Sequence, residues 1–112
     1  MDCIFCKIVS GEIPSKKVYE DDDVLAFYDL EPQAPVHILV IPKMHITSAD
    51  EASEETELVI GKCFTAVAKI SKALDLCKGY RLVTNVGEHG CQSVKHLHFH
   101  ILGGKQLKGN MA

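Results

Sequence analysis

The sequence predicts an α+β domain in which one long helix covers a mostly antiparallel, five-stranded sheet, with a short helix at the N-terminus. Three observations support this class. Apolar residues recur every three or four positions over residues 54–76, as on one face of a helix. Short apolar runs elsewhere have the length of strands. Residues 96–102 alternate between polar and apolar side chains, which is typical of a half-buried strand.

The first half of the chain is predicted to form a short helix and three strands. Residues 3–10 suit a helix that ends at Gly11. Val18-Tyr19 and Val24–Tyr28 are predicted to pair as a hairpin. Val36–Ile41 is almost continuously apolar, so we expect a strand that is covered on both faces.

The second half is predicted to form the long helix and the last two strands. The helix is expected from Glu54 to Leu76, with Ser53 as its candidate N-cap. Tyr80–Val86 is predicted to be a strand, and a final strand is expected over roughly His96–Leu102.

Size and composition limit the functions to consider. The 112 residues and 12.3 kDa fit one domain over residues 1–112, with a core over about 3–105 and a mobile tail over 106–112. A net charge of −3 predicts no nucleic-acid polymer and no membrane surface as partner. We expect a cytoplasmic protein, because no apolar stretch reaches a span or a signal peptide. The five scattered cysteines favour reduced thiols.

A row of histidines is the main functional signal. His96, His98 and His100 would project from one face of a strand at intervals of roughly 7 Å. Imidazoles in this arrangement suit either metal binding or nucleophilic and acid–base chemistry near neutral pH. The alternative is a polar strand face that is only exposed to solvent, but such a face would not require three histidines. The preceding loop, with its glycines and Gln92-Ser93, offers donors that suit a phosphate, so His98 is the candidate nucleophile.

The pair Cys3-x-x-Cys6 has three possible interpretations: a redox pair, half of a zinc site, or two unrelated thiols. No βαβ pattern follows it, which disfavours a thioredoxin-like protein. His45 and His96 are available as two further ligands. A Cys₂His₂ set of this kind would close a tetrahedral structural zinc site.

The segment His96-Leu97-His98-Phe99-His100-Ile101-Leu102 follows the pattern His-φ-His-φ-His-φ-φ, where φ is an apolar residue. This pattern resembles the signature of the histidine triad family, and the likeness to its nucleotide-binding Hint branch covers roughly residues 3–105. The further similar segments are Ile4-Phe5, Gly11–Pro14, Ala26–Asp29, Gln33–His37, Leu39–Lys43 with His45, Asn85, Gln92-Ser93 and Gly103-Gly104. The resemblance implies a HIT-like fold and a homodimer.

The resemblance also implies a purine nucleoside phosphoramidate hydrolase. His98 would attack the α-phosphorus, the amine would leave protonated, and water would hydrolyse the nucleotidyl-histidine. The other implied catalytic residues are His37, His100 and Ser93. The implied substrate contacts are Asn85, Gln92, Ser93, His98 and His100 for the phosphate or leaving group, Asp29 for the ribose, and Ile4, Phe5, Phe27 and Leu30 for the base. The implied partner is a purine nucleoside monophosphate or its phosphoramidate, and no catalytic metal is required.

The arrangement of Cys3, Cys6, His45 and His96 resembles that of bacterial family members that begin with Cys-x-x-Cys. This resemblance favours structural zinc. The chain departs from the Hint pattern at Cys91, where a second glycine is usual, and it stops at Ala112, where Hint proteins of animals end in a longer Trp-containing tail. These departures bear on the phosphate loop and on the preference for a leaving group.

Two other function classes stay open. One is a dinucleoside polyphosphate hydrolase or nucleotidyl transferase of a sister branch, which is disfavoured because Gly103-Gly104 stands where those branches tend to carry proline. The other is a non-catalytic nucleotide-binding scaffold. It is disfavoured because a scaffold has no need for the complete set of His37, His98, His100, Asn85 and Ser93.

Overall fold

The computed structural model describes residues 3–112, and these form one antiparallel sheet with a helix on each face. The sheet has the strand order β1-β2-β3-β5-β4. The elements are α1 (Ile4–Ser10), β1 (Lys17–Glu20), β2 (Val24–Tyr28), β3 (Val36–Pro42), a short 3₁₀ turn (Ala49–Glu51), α2 (Glu57–Ala73), β4 (Arg81–Val83) and β5 (Phe99–Gly103). The predicted α+β class, with five strands and two helices, is confirmed.

The start of the long helix differs from the prediction. Residues 53–56 form a turn that precedes α2, in which the Ser53 N–H donates to Thr56 Oγ1 at 2.9 Å. The Ser53 hydroxyl accepts from the Glu55 N–H within this turn, so it is not available to the helix. Ser53 is therefore not the N-cap of α2, and Thr56 takes that position.

The last two strands are shorter than predicted. β4 ends at Val83 rather than Val86, and β5 begins at Phe99 rather than His96. The reason lies in the connection, because residues 84–98 leave the ladder and turn back toward the residues after β3. Leu97 N–H donates to the Ile46 carbonyl at 2.6 Å in this segment. His96 and His98 thus lie before the strand that the alternation predicts for them.

Alternate residues of the central strands serve two cores. One face packs against α2 through residues that include Val24, Ile38, Val40, Phe99, Ile101, Val67 and Ile70. The other packs against α1 through Leu25, Phe27, Leu39, Ile41, Phe5 and Ile8. α1 begins with a side-chain cap, in which Cys3 Sγ accepts from the Cys6 N–H, and it ends at Gly11, whose φ of 88° suits a residue without Cβ.

The register of β3 against β5 brings two predicted site residues together. Leu39 pairs with His100, and His37 pairs with Leu102. Residues paired directly in an antiparallel ladder point to the same face. His37 and His100 are therefore diagonal neighbours on the face that α1 covers.

Among residues 3–112, no helix has both the length and the apolar character needed to cross a membrane.

Candidate active site and metal centre

His98 lies buried beside α1, with 3% of its surface exposed. Its Nδ1 is 2.7 Å from the His96 carbonyl oxygen, which can accept a hydrogen bond but cannot donate one. When the ring carries one proton, that proton is therefore on Nδ1, and Nε2 carries a lone pair. The Thr84 hydroxyl fixes the His98 backbone by donating a hydrogen bond to the His98 carbonyl at 2.8 Å.

His37 and His100 form a relay with defined proton positions. The Gln33 backbone N–H donates to His37 Nδ1 at 3.0 Å, so this ring is neutral and carries its proton on Nε2. His37 Nε2 then donates to His100 Nδ1 at 2.9 Å. The proton of His100 is consequently on its Nε2, and its ring centroid lies 5.1 Å from that of His98.

Asp29 stands at the outer end of this relay. Its Oδ1 accepts from the Glu31 N–H at 2.8 Å, which fixes the carboxylate, and its Oδ2 lies 3.5 Å from His37 Nε2. The Asp29 N–H donates to the His37 carbonyl at 3.1 Å. This bond joins the residue after β2 to β3 and places the carboxylate beside the His37 ring.

The surroundings keep His100 neutral. Burial, followed by the neighbouring His98 and His37, lowers the pKa of His100 to about 4, although Asp29 acts in the opposite direction. At neutral pH the side chain is an uncharged N–H donor. It can therefore bind a phosphate oxygen by a hydrogen bond rather than by its charge.

The four residues expected to hold a base fall into two groups. Phe5 and Phe27 are buried and meet edge to face, with ring centroids 5.8 Å apart. Ile4 and Leu30 are 46% and 96% exposed. The first pair already belongs to the core, whereas the second pair offers apolar surface to a ligand.

The loop before His96 ties its own polar side chains to its backbone. Asn85 Nδ2 donates to the Gly90 carbonyl at 2.6 Å. Gln92 donates to the carbonyls of Thr47 and Val94 and accepts from the Gly87 N–H. Both side chains thus shape the loop in this state, while Ser93 is exposed. A Cβ at Gly90 would collide with the Val86 carbonyl, so this turn requires glycine.

The residues predicted as metal ligands form a compact group. The ligand atoms of Cys3, Cys6, His45 and His96 all lie within 4.8 Å of one another. The Nδ1 atoms of His45 and His96 are 3.2 Å apart. Three of the sulfur-to-nitrogen contacts, Cys6 to His45, Cys3 to His96 and Cys6 to His96, measure 3.3, 3.4 and 3.6 Å. A tetrahedral zinc ion, with bonds of about 2.0–2.3 Å, would set these separations at about 3.3 and 3.6 Å.

The proton positions at this group also fit a cation. His96 Nε2 donates to the Pro42 carbonyl at 2.8 Å, so its Nδ1 lone pair points at the sulfur atoms. Burial lowers the pKa of His96, which keeps the ring neutral as a metal ligand must be. Burial and the neighbouring Cys3 raise the pKa of the Cys6 thiol, an effect that a bound cation would oppose. The donor set therefore suits zinc.

Three contributing groups were not predicted from the sequence: the Gln33 N–H, the Pro42 carbonyl and the Thr84 hydroxyl. The first two are backbone groups, so no side-chain pattern reports them. Thr84 lies 14 positions before His98 and meets it because β4 pairs with β5.

Comparisons with known proteins identify the family. Residues 10–107 match the family model of the HIT domain. The chain is 47% identical over 107 residues to a purine nucleoside phosphoramidase of Escherichia coli, covering 95% of this chain and 90% of that protein. It is 48% identical over 108 residues to a 14 kDa zinc-binding protein of Brassica juncea, covering 95% and 96%.

A solved structure agrees with this assignment. The HIT family hydrolase of Clostridium thermocellum superposes with a TM-score of 0.96 at 42% identity, and the match covers 99% of this chain and 97% of that one. The predicted HIT-like fold is confirmed, and the names of these relatives bear out the prediction of a hydrolase. The chain therefore belongs to the HIT domain family.

Proposed function

We propose that the protein is a purine nucleoside phosphoramidate hydrolase that works through a nucleotidyl-histidine intermediate on His98. One observation carries this proposal: the hydrogen bond from His98 Nδ1 to the His96 carbonyl leaves the Nε2 lone pair for attack on phosphorus. The 47% identity to a purine nucleoside phosphoramidase supports the choice of substrate class.

The reaction would proceed in two displacements at the same phosphorus. His98 Nε2 forms a bond to the α-phosphorus while the phosphorus–nitrogen bond breaks, and the amine takes a proton from water as it leaves. Water then attacks the phosphorus, the bond to His98 breaks, and the nucleoside monophosphate is released. The Ser93 hydroxyl is proposed to contact the leaving group. Since imidazole is the nucleophile, the steps use no catalytic metal.

The His37 relay would orient His100 toward the phosphate. Its chain of donors fixes the proton of His100 on Nε2, where it can bind a phosphate oxygen that gains charge in the transition state. The lowered pKa of His100 means that this donor needs no change of protonation near pH 7. Asn85 and Gln92 are proposed to contact the phosphate through the loop that they shape.

The nucleoside would bind at the α1 side of the sheet. Asp29 suits the two ribose hydroxyls, because a carboxylate accepts two hydrogen bonds. We propose Ile4, Phe5, Phe27 and Leu30 as the walls of the base site. The exposure of Ile4 and Leu30 supports this role, since a base would cover apolar surface that is now in contact with water.

We also propose that Cys3, Cys6, His45 and His96 hold a structural zinc ion. The separations of their ligand atoms support this assignment, as does the 48% identity to a zinc-binding protein. The metal would supply folding free energy by joining α1 to the segments after β3 and before β5. Thiolate ligands require a reducing compartment, which accords with the proposed cytoplasmic location.

A homodimer is proposed for the assembly. Leu58 and Phe64 of α2 are 72% and 52% exposed, and β4 is an edge strand of the sheet. A second copy could cover both features.

The proposed function is tested by incubating the protein with an adenosine phosphoramidate and, separately, with diadenosine polyphosphates. We expect cleavage of the first substrate, and a His98→Ala variant should lose about 10³-fold or more in kcat/KM. His89→Ala is the matched control, because His89 is exposed in the loop. Undiminished cleavage by the His98→Ala variant would refute the mechanism. Preference for the polyphosphates would favour the sister branch.

A further inference from the structure

The segment that carries His98 is held by few backbone contacts. His98 precedes β5, so it is outside the sheet ladder. The Leu97 N–H bond to Ile46 and the Thr84 bond to the His98 carbonyl fix its main chain. Among the described hydrogen bonds, the one to the His96 carbonyl fixes the His98 ring. That carbonyl belongs to a residue of the metal site.

A second contact on the His98 ring also leads to the metal site. The Phe5 ring meets His98 edge to face, with centroids 5.2 Å apart and an interplanar angle of 86°. It meets His96 in the same way at 5.9 Å. Phe5 lies between Cys3 and Cys6, and the bond from the Cys6 N–H to Cys3 Sγ closes the turn that carries it. The two cysteines thus help to place Phe5, together with its contact to Phe27.

We propose that Phe5 is a positioning residue for His98, and that the four metal-site residues orient the nucleophile through Phe5 and through the His96 carbonyl. This inference rests on the proposed zinc site and on the proposed role of His98. The two routes converge on one ring, so occupancy of the site by zinc is coupled to the direction of the Nε2 lone pair.

The physical reason is the way in which zinc would join α1 to His96 at the four-residue site. The Nδ1 atoms of His45 and His96 are 3.2 Å apart, and the His96 lone pair also faces both sulfur atoms. Zinc would bond to the sulfur atoms of α1 and to His96 Nδ1 at once, whereas without it only weak thiol contacts at 3.4 and 3.6 Å join them. We therefore expect α1 to move away from His96 when zinc is removed. Phe5 moves with it, and the His98 ring loses its orientation.

The test observes the His98 ring directly by NMR of protein labelled in its histidines, without nucleotide. In the zinc-loaded protein, we expect a slowly exchanging proton on His98 Nδ1, since that proton is hydrogen-bonded and buried. Removal of zinc by a chelator should abolish this signal, and restoring one zinc per chain should return it. His98→Ala identifies the resonance.

Two variants separate positioning from general stability. Phe5→Leu should retain zinc, lose the His98 Nδ1 proton signal, and reduce kcat roughly tenfold. Phe64→Leu is the matched control, because Phe64 meets Phe99 on the opposite face at 5.2 Å. It should keep both the signal and kcat.

An unchanged His98 signal in the metal-free protein or in Phe5→Leu would overturn the inference. Loss of the amide signals of β3 and β5 on zinc removal would also overturn it, because the metal would then be needed for the whole fold. If His98→Ala remains active, the proposed mechanism fails, but the NMR comparison still decides whether the metal site orients this ring.

Discussion

The histidines of the metal site and those of the relay differ in where their protons lie. In the relay, an N–H faces a lone pair at each step from Gln33 to His37 to His100. In the metal site, the Nδ1 lone pair of His96 faces Nδ1 of His45 and the two sulfur atoms. The relay has a donor for each acceptor without a cation, whereas the proposed metal site presents lone pairs that a cation would bind.

The difference comes from the backbone partner of each ring. The Pro42 carbonyl draws the proton of His96 to Nε2 and exposes the lone pair on Nδ1. The Gln33 N–H requires a lone pair on His37 Nδ1, so the proton of His37 is on Nε2. This proton lies between the rings of His37 and His100. Asp29, His37 and His100 also lie within 4.8 Å of one another, but that proton occupies the place of a metal. Proximity of ligand-type atoms alone does not distinguish the two groups.

The largest expected effect is a fall in the free energy of unfolding when a residue of the proposed metal site is replaced. Protein purified without added metal should contain one zinc per chain, and Cys3→Ser should lose it. The free energy of unfolding should fall by about 4 kcal/mol or more, since zinc binding contributes to folding. Metal analysis and urea denaturation measure both. Cys91→Ser, an exposed cysteine outside the site, is the control. A metal-free protein of equal stability would contradict the prediction.

A change in the relay should affect rate more than stability. His37→Phe removes the acceptor for the Gln33 N–H and the donor to His100, so the proton of His100 is no longer fixed on Nε2. We expect kcat/KM to fall about 10²-fold, which corresponds to about 2.7 kcal/mol, with zinc content unchanged. His89→Phe serves as the comparison at an exposed position. Loss of zinc from His37→Phe would show that the two groups are not independent.

The smallest expected effect is the pH dependence that His100 adds to stability. Its pKa is about 4 in the folded protein and about 6.5 when unfolded, so the unfolded chain binds more protons between these values. The free energy of unfolding should therefore fall as the pH drops from about 6.5 to 4.

The contribution of His100 should be about 1–2 kcal/mol, allowing for its partial exposure. His100→Asn should flatten this part of the pH profile, as measured by urea denaturation at each pH. An equally steep profile in the variant would assign the dependence to other groups, of which His96 is the first to examine.

Much of the fold followed from local patterns. The period of apolar residues predicted α2, and the short apolar runs together with the alternation over residues 96–102 predicted five strands, because burial of one face imposes these repeats. The bounds of the last strand did not follow. The alternation continues through His96 and His98, but these residues turn away from the ladder toward Ile46 and the metal site.

The sequence by itself determined which chemical groups are available: a row of three histidines, a cysteine pair and a carboxylate after a strand. Tertiary structure decided which ring nitrogen of each histidine faces a donor or an acceptor, because the position of a proton on an imidazole depends on the group that faces it. For His96, His98 and His37 that group is a backbone carbonyl or N–H, supplied by Pro42, His96 and Gln33 respectively. Every residue type offers such backbone groups, so only the folded chain brings the right one to each ring.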